Sequence, residues 1–447
     1  MSSAVCFLIS TLYLWTTTIV AKYEYHEIKR VGADSFTIVL AFVFINLLLP
    51  GVGIYGLLGI FGSDLRTGIY FFDKVLLMLN FIDSLTVYLL TNLFILGLYI
   101  SIGFSRTTIF YKDSNKKIEL RPVPAFISIS FLFVLCGTFF IGLGQDTFER
   151  YANLILFRIQ DTSIDRTFFS ANAFALTQTL LWLSTGMFFY YAVEKKHIKA
   201  AIHLCLLLFA GLLMGSRRGL IYPFIILYFG AVLLNQKLYM KKVIYLIPII
   251  ILWVSYGKEL ASSVSRSMEF EYGSQYSTVG SLMLRAFSDI GISLIESLAV
   301  LQHFSSFLPR LGFDHLLSVL RRLPEGLMGL EIDWPERIVL ITTKAFTYSG
   351  DSDIPPGLIG QSWLDLPIIG ALLWGMFIGA QSRFINNWAR GIIKSPAQVI
   401  LVVLLGLIIA LPIGTGSYDF TFSIDIFVFI LLLKVSFKYK YFISPKK

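Results

Sequence analysis

The chain has 447 residues, of which 56% are apolar and only 15% carry a charged side chain. A soluble domain carries about 25% charged residues, and its core stops growing at about 250–300 residues. This composition therefore excludes a soluble enzyme, a disordered chain and a nucleic-acid-binding module. The net charge of +9 is interpreted as membrane topology and attraction to anionic lipids, so the sequence predicts an all-α polytopic membrane protein.

Hydropathy predicts about eleven transmembrane helices, each long enough for a hydrocarbon core of about 30 Å. Helices are required because an open sheet edge would leave backbone groups unpaired in lipid. The first apolar run lacks a basic leader and a small-residue cleavage site, so it is interpreted as a span rather than a secretory signal. The predicted spans are residues 4–20, 36–60, 81–104, 123–144, 172–193, 198–214, 219–235, 242–257, 356–380, 397–415 and 420–438.

Lysine and arginine are concentrated in alternate connections between these spans and in the C-terminal tail. By the positive-inside rule the tail is cytoplasmic and the N-terminus lies outside. The sequence thus predicts an N-terminal bundle of about eight spans at 1–257 and a large, partly helical external loop at 258–355. A C-terminal region of about three spans and a cytoplasmic tail follows at 356–447.

The external loop is the main asymmetry of the chain, and it carries many charges and two histidines, His303 and His315. Long connections are uncommon in proteins unless they are functional, so function is expected there. Either histidine could act as a general base near neutral pH, although a lone loop histidine is more often simply solvated.

Within this loop, residues 281–301 place Arg285, Asp289, Ser293 and Glu296 at spacings of four, four and three. Such spacing is one polar stripe on a single apolar helix. The helix would lie in the interface or pack against the bundle with its stripe facing a cavity. Two alternatives remain open, namely a surface helix with an internal Arg285–Asp289 pair and a further span.

A second pattern is the outer turn Gly215-Ser216-Arg217-Arg218-Gly219. The glycines suit a tight turn, but two arginines on the outer side oppose the positive-inside bias. Arginine suits planar, bidentate contacts with phosphate, which indicates a bound diphosphate. The alternative is that both side chains reach lipid headgroup phosphates.

Further polar residues lie at or inside the predicted spans. Gln361 and Asp365 follow the start of the ninth span, Asp83 and Asp425 lie within spans, and Tyr418 is on the last outer turn. Polar groups at membrane depth are by default hypotheses about a site, and Gln361 and Tyr418 are predicted to line a substrate cavity. The cysteines lie in apolar runs without metal-ligand spacing, so no metal or other cofactor is predicted.

Two stretches resemble the oligosaccharide repeat-unit polymerases, the Wzy-type O-antigen polymerases of Gram-negative bacteria. They are GSRRG at 215–219 and DIPPGLIGQSWLDLPIIGALLWGMFIG at 353–379. The second is similar to a family pattern of Pro, Leu-x-Gly, an acidic or polar residue and a Gly-rich apolar run. Where the family has Glu after Leu-x-Gly, this chain has Gln361, which puts an acid–base role there in doubt and leaves hydrogen bonding.

The resemblance implies a metal-independent membrane glycosyltransferase with a GT-C-like helical fold in the bacterial inner membrane. It would transfer a growing glycan from undecaprenyl diphosphate to the next carrier-linked repeat unit at the periplasmic face. Its partners would be the lipid-linked oligosaccharide, membrane lipids and a chain-length regulator. In this role, the diphosphate would be held by Arg217, Arg218 and Arg285, and the candidates for the base would be Asp289, His303 and His315.

Three other functions fit the same architecture. An O-antigen ligase shares the donor, and no residue separates it from a polymerase. A flippase for lipid-linked oligosaccharide would show paired halves with interrupted helices, which the hydropathy profile does not show. A receptor or scaffold without chemistry is the third alternative.

Overall fold

The computed structural model describes residues 1–62, 64–103, 116–120, 187–188, 191–192, 195–213, 279–304, 309–312, 341–342, 355–392, 396–415 and 437–441. This part of the chain is mostly helical, as expected for an all-α membrane protein. The helices are α1 (Ser3–Val31), α2 (Ser35–Val43), α3 (Leu49–Phe61), α4 (Tyr70–Leu77), α5 (Phe81–Ile102), α6 (His197–Leu213), α7 (Val279–Ile290), α8 (Ile292–His303), α9 (Leu358–Asp365), α10 (Ile369–Ile392) and α11 (Pro396–Thr415).

Within the described residues, three helices are long and apolar enough to cross a membrane, or four if α9 and α10 form one bent span, and the three coincide with the first three predicted spans. They are Ser3–Val31, Ser35–Phe61 and Phe81–Ile102. The first continues well beyond its predicted end at residue 20. The total of about eleven spans remains a prediction, because much of the chain lies outside the described residues.

The second of these spans is built from α2 and α3, joined by a π-helical turn at Phe44–Leu48. Pro50 lies at the start of α3. Proline has no backbone N–H, and its ring crowds the carbonyl four residues earlier. The wider π turn before Pro50 relieves this crowding. At the other end, Asp34 and Thr37 form a reciprocal cap that fixes the start of α2.

The helices pack closely through glycines. On α1, the Tyr13 ring lies flat against Gly51 of α3, and Ser10 Oγ donates to Val52 O at 2.9 Å. Between α5 and α10, Gly97 and Gly375 each bring the two backbones together, so closely that a β-carbon at either position would collide with the facing main chain. Small residues at helix contacts are the usual means of close approach in membranes.

These contacts define two ends of the bundle, which we call the Phe61 end and the Ser35 end. Helices α1, α5 and α10 run from the Phe61 end to the Ser35 end, whereas α2, α3 and α11 run the other way. Their relative directions agree with the predicted alternation of spans one, two, three, nine and ten. The direction of the whole bundle across the membrane stays a prediction.

Two short strands depart from a purely helical fold. Strand β1 (Lys116–Leu120) pairs antiparallel with β2 (Phe437–Tyr441), with Lys116 opposite Tyr441. The first lies in a predicted cytoplasmic connection and the second in the predicted cytoplasmic tail. Pairing puts both on one side of a membrane, as the charge distribution predicts.

The predicted ninth span, 356–380, is wrong as a single helix. The chain bends by 118° between α9 and the first part of α10. The cause is local: Pro367 forces the preceding residue out of the helical region, so Leu366 is extended at φ −151° and ψ 105°. Ile368 then adopts a left-handed conformation with φ 68°. The predicted span is therefore broken into the short helix α9 and the longer helix α10, which begins at Ile369.

The single helix predicted over 281–301 is also wrong, because α7 and α8 meet at Gly291. Along α7, Gly280 faces Phe61, Phe287 faces Gly53 and Gly291 lies against Pro50. This helix of 12 residues is about 18 Å long, so it reaches roughly the middle of the bundle from the Phe61 end.

Helix α8 then returns towards that end, where Gln302 Nε2 donates to Val75 O on α4 at 3.3 Å. We call α7 and α8 the re-entrant hairpin. Packing against the bundle is therefore confirmed for residues 281–301, and the exposed surface helix is wrong.

Candidate functional site

The re-entrant hairpin carries ionisable side chains into the bundle. Arg285 on α7 is 6% exposed and Glu296 on α8 is 2% exposed, whereas Asp289 is half-buried. Charged groups are costly at membrane depth and are retained where they serve a site. The buried side of the hairpin is therefore the first candidate for a functional site.

The hairpin is fixed to α9 by two serines. Ser293 Oγ accepts the Leu358 amide at 3.1 Å, and Ser297 Oγ accepts the Gly360 amide at 3.0 Å. The first amides of a helix have no partners within the helix, so α8 supplies the cap that α9 lacks. Gly357 makes this possible, because at φ 69° it lies against Ser293 and Ser297, leaving no room for a side chain.

Helix α9 ends at a buried carboxylate that links three segments. Asp365 Oδ1 accepts Gln361 Nε2 at 3.2 Å and the Gly312 amide at 3.0 Å, and Asp365 Oδ2 accepts Trp374 Nε1 at 2.8 Å. The side chain is 3% exposed. It therefore joins α9, the first turns of α10 and the turn at 309–312.

That turn also caps the end of α9 through its backbone. The Arg310 amide donates to Leu364 O at 2.9 Å and the Leu311 amide to Asp365 O at 3.1 Å. Leu311 has φ 54° although it is not a glycine. A left-handed leucine is strained, and the bonds on either side of it hold the strain in place. The segment after α8 is thus tied firmly to α9.

His303 lies at the end of α8 and is half-buried. Its Nδ1 is 3.1 Å from Ala299 O in the same helix. A backbone carbonyl can only accept, so Nδ1 carries a proton and Nε2 is the nitrogen that can take one. This bond fixes the orientation of the ring at the end of α8.

A second buried polar cluster lies at the opposite end of the bundle. Thr37 Oγ1 donates to Glu24 Oε1 at 2.8 Å, and Asn386 Nδ2 donates to Asp34 Oδ2 at 2.9 Å. These bonds join α1, α2 and α10. The cluster fixes the Ser35 end and is remote from the hairpin.

The structure places several of the predicted site residues on neighbouring helices. Arg285 and Asp289 lie on α7, His303 lies on α8, and Gln361 lies on α9, which packs against α8. Asp83 is instead in the first turn of α5, where its amide donates to Oδ1 of the N-cap residue Asn80 and its Oδ2 accepts Asn80 Nδ2. The residues outside the described part of the chain are Arg217, Arg218, His315, Tyr418 and Asp425.

Sequence reasoning missed the roles of the capping serines and of Trp374. The spacing of Ser293 and Ser297, four residues apart on α8, was visible as one helix face, but their partners come from a segment far away in the chain. Trp374 looked like one more apolar residue of a span. Within the described ranges, no three His, Cys, Asp or Glu side chains lie close enough to hold a metal ion.

Comparison with known proteins found no match: no family model, no curated protein and no solved structure is similar to this chain. The likeness to repeat-unit polymerases therefore rests on the two sequence motifs. Of these, residues 355–379 lie within the described part of the chain and form the start and elbow of α9 and α10.

Proposed function

We propose that this protein is a Wzy-type polysaccharide polymerase. It transfers a growing glycan from undecaprenyl diphosphate to the next lipid-linked repeat unit at the periplasmic face of the bacterial inner membrane. One observation carries the proposal: α8, the second helix of the re-entrant hairpin, packs directly on α9, the helix formed by the motif that resembles the polymerases. The segment with the charged stripe and the segment with the family motif are thereby neighbours in the fold.

The proposed chemistry is a displacement at the anomeric carbon of the donor sugar. An acceptor hydroxyl forms the new glycosidic bond, the bond to the diphosphate breaks, and the carrier diphosphate leaves with the electron pair. Arg285, together with Arg217 and Arg218, stabilises the charge that gathers on the leaving group, an effect worth a few kcal/mol per donor. The proton of the hydroxyl passes to a base, for which the candidates are Asp289, His303 and His315.

The proposed orientation puts the Phe61 end in the periplasm and the C-terminus in the cytoplasm. Support comes from the charge alternation of the connections and from the pairing of β1 with β2, which requires one common side. In this orientation the hairpin enters from the periplasm. That is the side on which a carrier-linked glycan would present its diphosphate at the membrane surface.

The test is complementation of a deletion strain, followed by gel analysis of surface polysaccharide. We expect the Arg217→Ala, Arg218→Ala double variant and Arg285→Ala to insert into the membrane but to leave a single repeat unit on the lipid core. Arg383→Ala is the matched control, since Arg383 bonds only to Ser101 O at the Ser35 end among the described residues, and its ladders should be normal. Normal ladder lengths from the double variant would overturn the assignment.

A flippase is the second candidate, because a specific observation favours it. The π turn, the hairpin and the 118° elbow interrupt helices inside the bundle, and discontinuous helices are typical of secondary transporters. The deletion strain separates the candidates. A single repeat on the core indicates a lost polymerase, a core without glycan a lost ligase, and carrier-linked units retained on the cytoplasmic side a lost flippase.

A further inference from the structure

The Asp365 carboxylate is surrounded by donors of one kind. Its two oxygens accept hydrogen bonds from the side-chain NH2 group of Gln361, the backbone N–H of Gly312 and the indole N–H of Trp374. An ionised carboxylate has only acceptors, so each of these groups must present its N–H. Asp365 thus determines the orientation of these three polar groups.

This has a direct consequence for Gln361. The side-chain amide has its NH2 group on one side and its carbonyl oxygen on the other. Asp365 takes the NH2 group, so Oε1 is directed away from it. Within the part of the chain that the structure describes, no N–H or O–H group donates to Gln361 Oε1.

We propose that Asp365 is a positioning residue, which orients the Gln361 amide so that Oε1 accepts a hydrogen bond from a hydroxyl group of the glycan substrate. This inference rests on the function proposed above and assigns Gln361 a role in it. Hydroxyl groups are the most numerous hydrogen-bond donors of a glycan. In a site of low polarity, a carbonyl oxygen oriented in advance favours a substrate that carries a hydroxyl over one that lacks it.

The two oxygens of Asp365 have separate partners. Gln361 Nε2 and the Gly312 amide both donate to Oδ1, whereas Trp374 Nε1 donates to Oδ2. In the Asp365→Asn variant, the asparagine oxygen takes the Oδ1 position and keeps both of those bonds, while its NH2 group faces the Trp374 indole. That substitution therefore spares the orientation of Gln361, whereas Asp365→Ala removes the acceptor that fixes it.

The experiment measures polymerisation of purified lipid-linked repeat units by the full-length protein in liposomes, as kcat/KM. We expect Gln361→Leu and Asp365→Ala each to lower kcat/KM about 10- to 100-fold, which corresponds to the loss of one hydrogen bond. The double variant should be no worse than either single variant, because both act through one amide. Independent structural damage would instead multiply the two losses.

Asp365→Asn provides the matched comparison. It keeps the oxygen that accepts Gln361 Nε2 and the Gly312 amide and loses only the bond to Trp374, so kcat/KM should change by less than about threefold. The control is Trp374→Phe, which removes one bond to Asp365 Oδ2 and leaves the Gln361 bond. It should lower thermal stability but change kcat/KM by less than about threefold.

The outcomes are separable. A wild-type protein that makes no polymer from these units overturns the proposed function and this inference with it. A wild-type protein that polymerises, with normal kcat/KM in Gln361→Leu or multiplied losses in the double variant, overturns the positioning role alone. If Asp365→Ala does not accumulate in membranes, Gln361→Leu decides the matter, since Gln361 makes only one side-chain bond among the described residues.

Discussion

The Ser297 hydroxyl accepts the Gly360 amide at 3.0 Å and donates to Ser293 O at 2.6 Å. One side chain thus closes a bond in its own helix and caps another helix that follows more than sixty residues later. The Ser293 hydroxyl likewise accepts the Leu358 amide. The start of α9 is therefore determined by the re-entrant hairpin and not by the sequence around Gly357 alone.

We predict that Ser297→Ala destabilises the protein, because the Gly360 amide would then be buried without an acceptor. The expected loss in the free energy of unfolding is about 1 kcal/mol, as for other helix caps. It can be measured by denaturant unfolding in detergent micelles. Thr18→Ala is the control, since among the described residues that exposed hydroxyl bonds only to Leu14 O of its own helix, and an equal loss there would contradict the capping role.

The contact of α5 with α10 predicts a larger effect at Gly97. A β-carbon there would collide with Leu372 O and come within 2.9 Å of the Met376 amide, and neither backbone can yield without moving a helix. Gly97→Ala should cost about 1–3 kcal/mol, as is usual for overpacking. The readout is the melting temperature in detergent. In the described part of the chain, Gly56→Ala meets only Ser10 Oγ at 3.3 Å and should melt close to the wild type.

The elbow before α10 predicts a stabilising substitution. Ile368 has φ 68° and is 60% exposed, so a β-branched side chain is held on a left-handed backbone with little packing in return. Ile368→Gly should raise the free energy of unfolding by about 1 kcal/mol. The neighbouring Ile369→Gly lies in a helix and should lower it. Melting curves of the two variants should move in opposite directions, and a drop for both would refute the argument.

The paired strands predict a common side for two distant segments. In a variant with Cys6, Cys136 and Cys205 changed to serine, single cysteines introduced in place of Lys117 and Lys440 should react with an impermeant maleimide from the cytoplasmic face. A cysteine in place of Tyr70, which is 67% exposed near the Phe61 end, should react only from the periplasmic face. Labelling of the two strand positions from opposite faces would rule out the pairing.

The Asn80–Asp83 contact predicts that an intramembrane acid is dispensable for function. Asp83 accepts from Asn80 Nδ2 at 2.6 Å in the first turn of α5, where an acidic group also favours the helix dipole. Asp83→Ala should cost about 0.3–1 kcal/mol of stability and leave polysaccharide ladders unchanged. Gel analysis of surface polysaccharide measures this, and a loss of ladders at normal protein levels would show that Asp83 has a functional role.

Hydropathy could predict α1, α2–α3 and α5, because each is a long apolar run that has to cover the thickness of a bilayer. It failed for the hairpin and the elbow, since both are decided by tertiary contacts. From the sequence, Gly291 is compatible with the interior of one helix, and only its contact with Pro50 shows why a glycine is needed there. Pro367 lies in a predicted span, and the mean hydropathy of that span is high although the proline breaks the helix.

The site was predictable to the extent that it follows one helix. The stripe from Arg285 to Glu296 shows that these positions have a polar role, and they are indeed on the hairpin, in two pieces rather than one. The partnership of Gln361 with Asp365 is a four-residue spacing that a sequence can suggest. The bonds from Gly312 and Trp374 could not be foreseen, because nothing in the local sequence says which turn comes back to meet α9.

The re-entrant hairpin also constrains the order in which the protein is made. Its first helix rests on α3, which is synthesised much earlier, but its serines bond to amides of α9, which the ribosome has yet to produce. The hairpin therefore reaches its final place only after the C-terminal helices have been inserted. A chain truncated before α9 would therefore leave the polar segment of α8 without its packing partner. Quality-control proteases would recognise such a segment, so stable accumulation of the N-terminal helices requires the C-terminal helices.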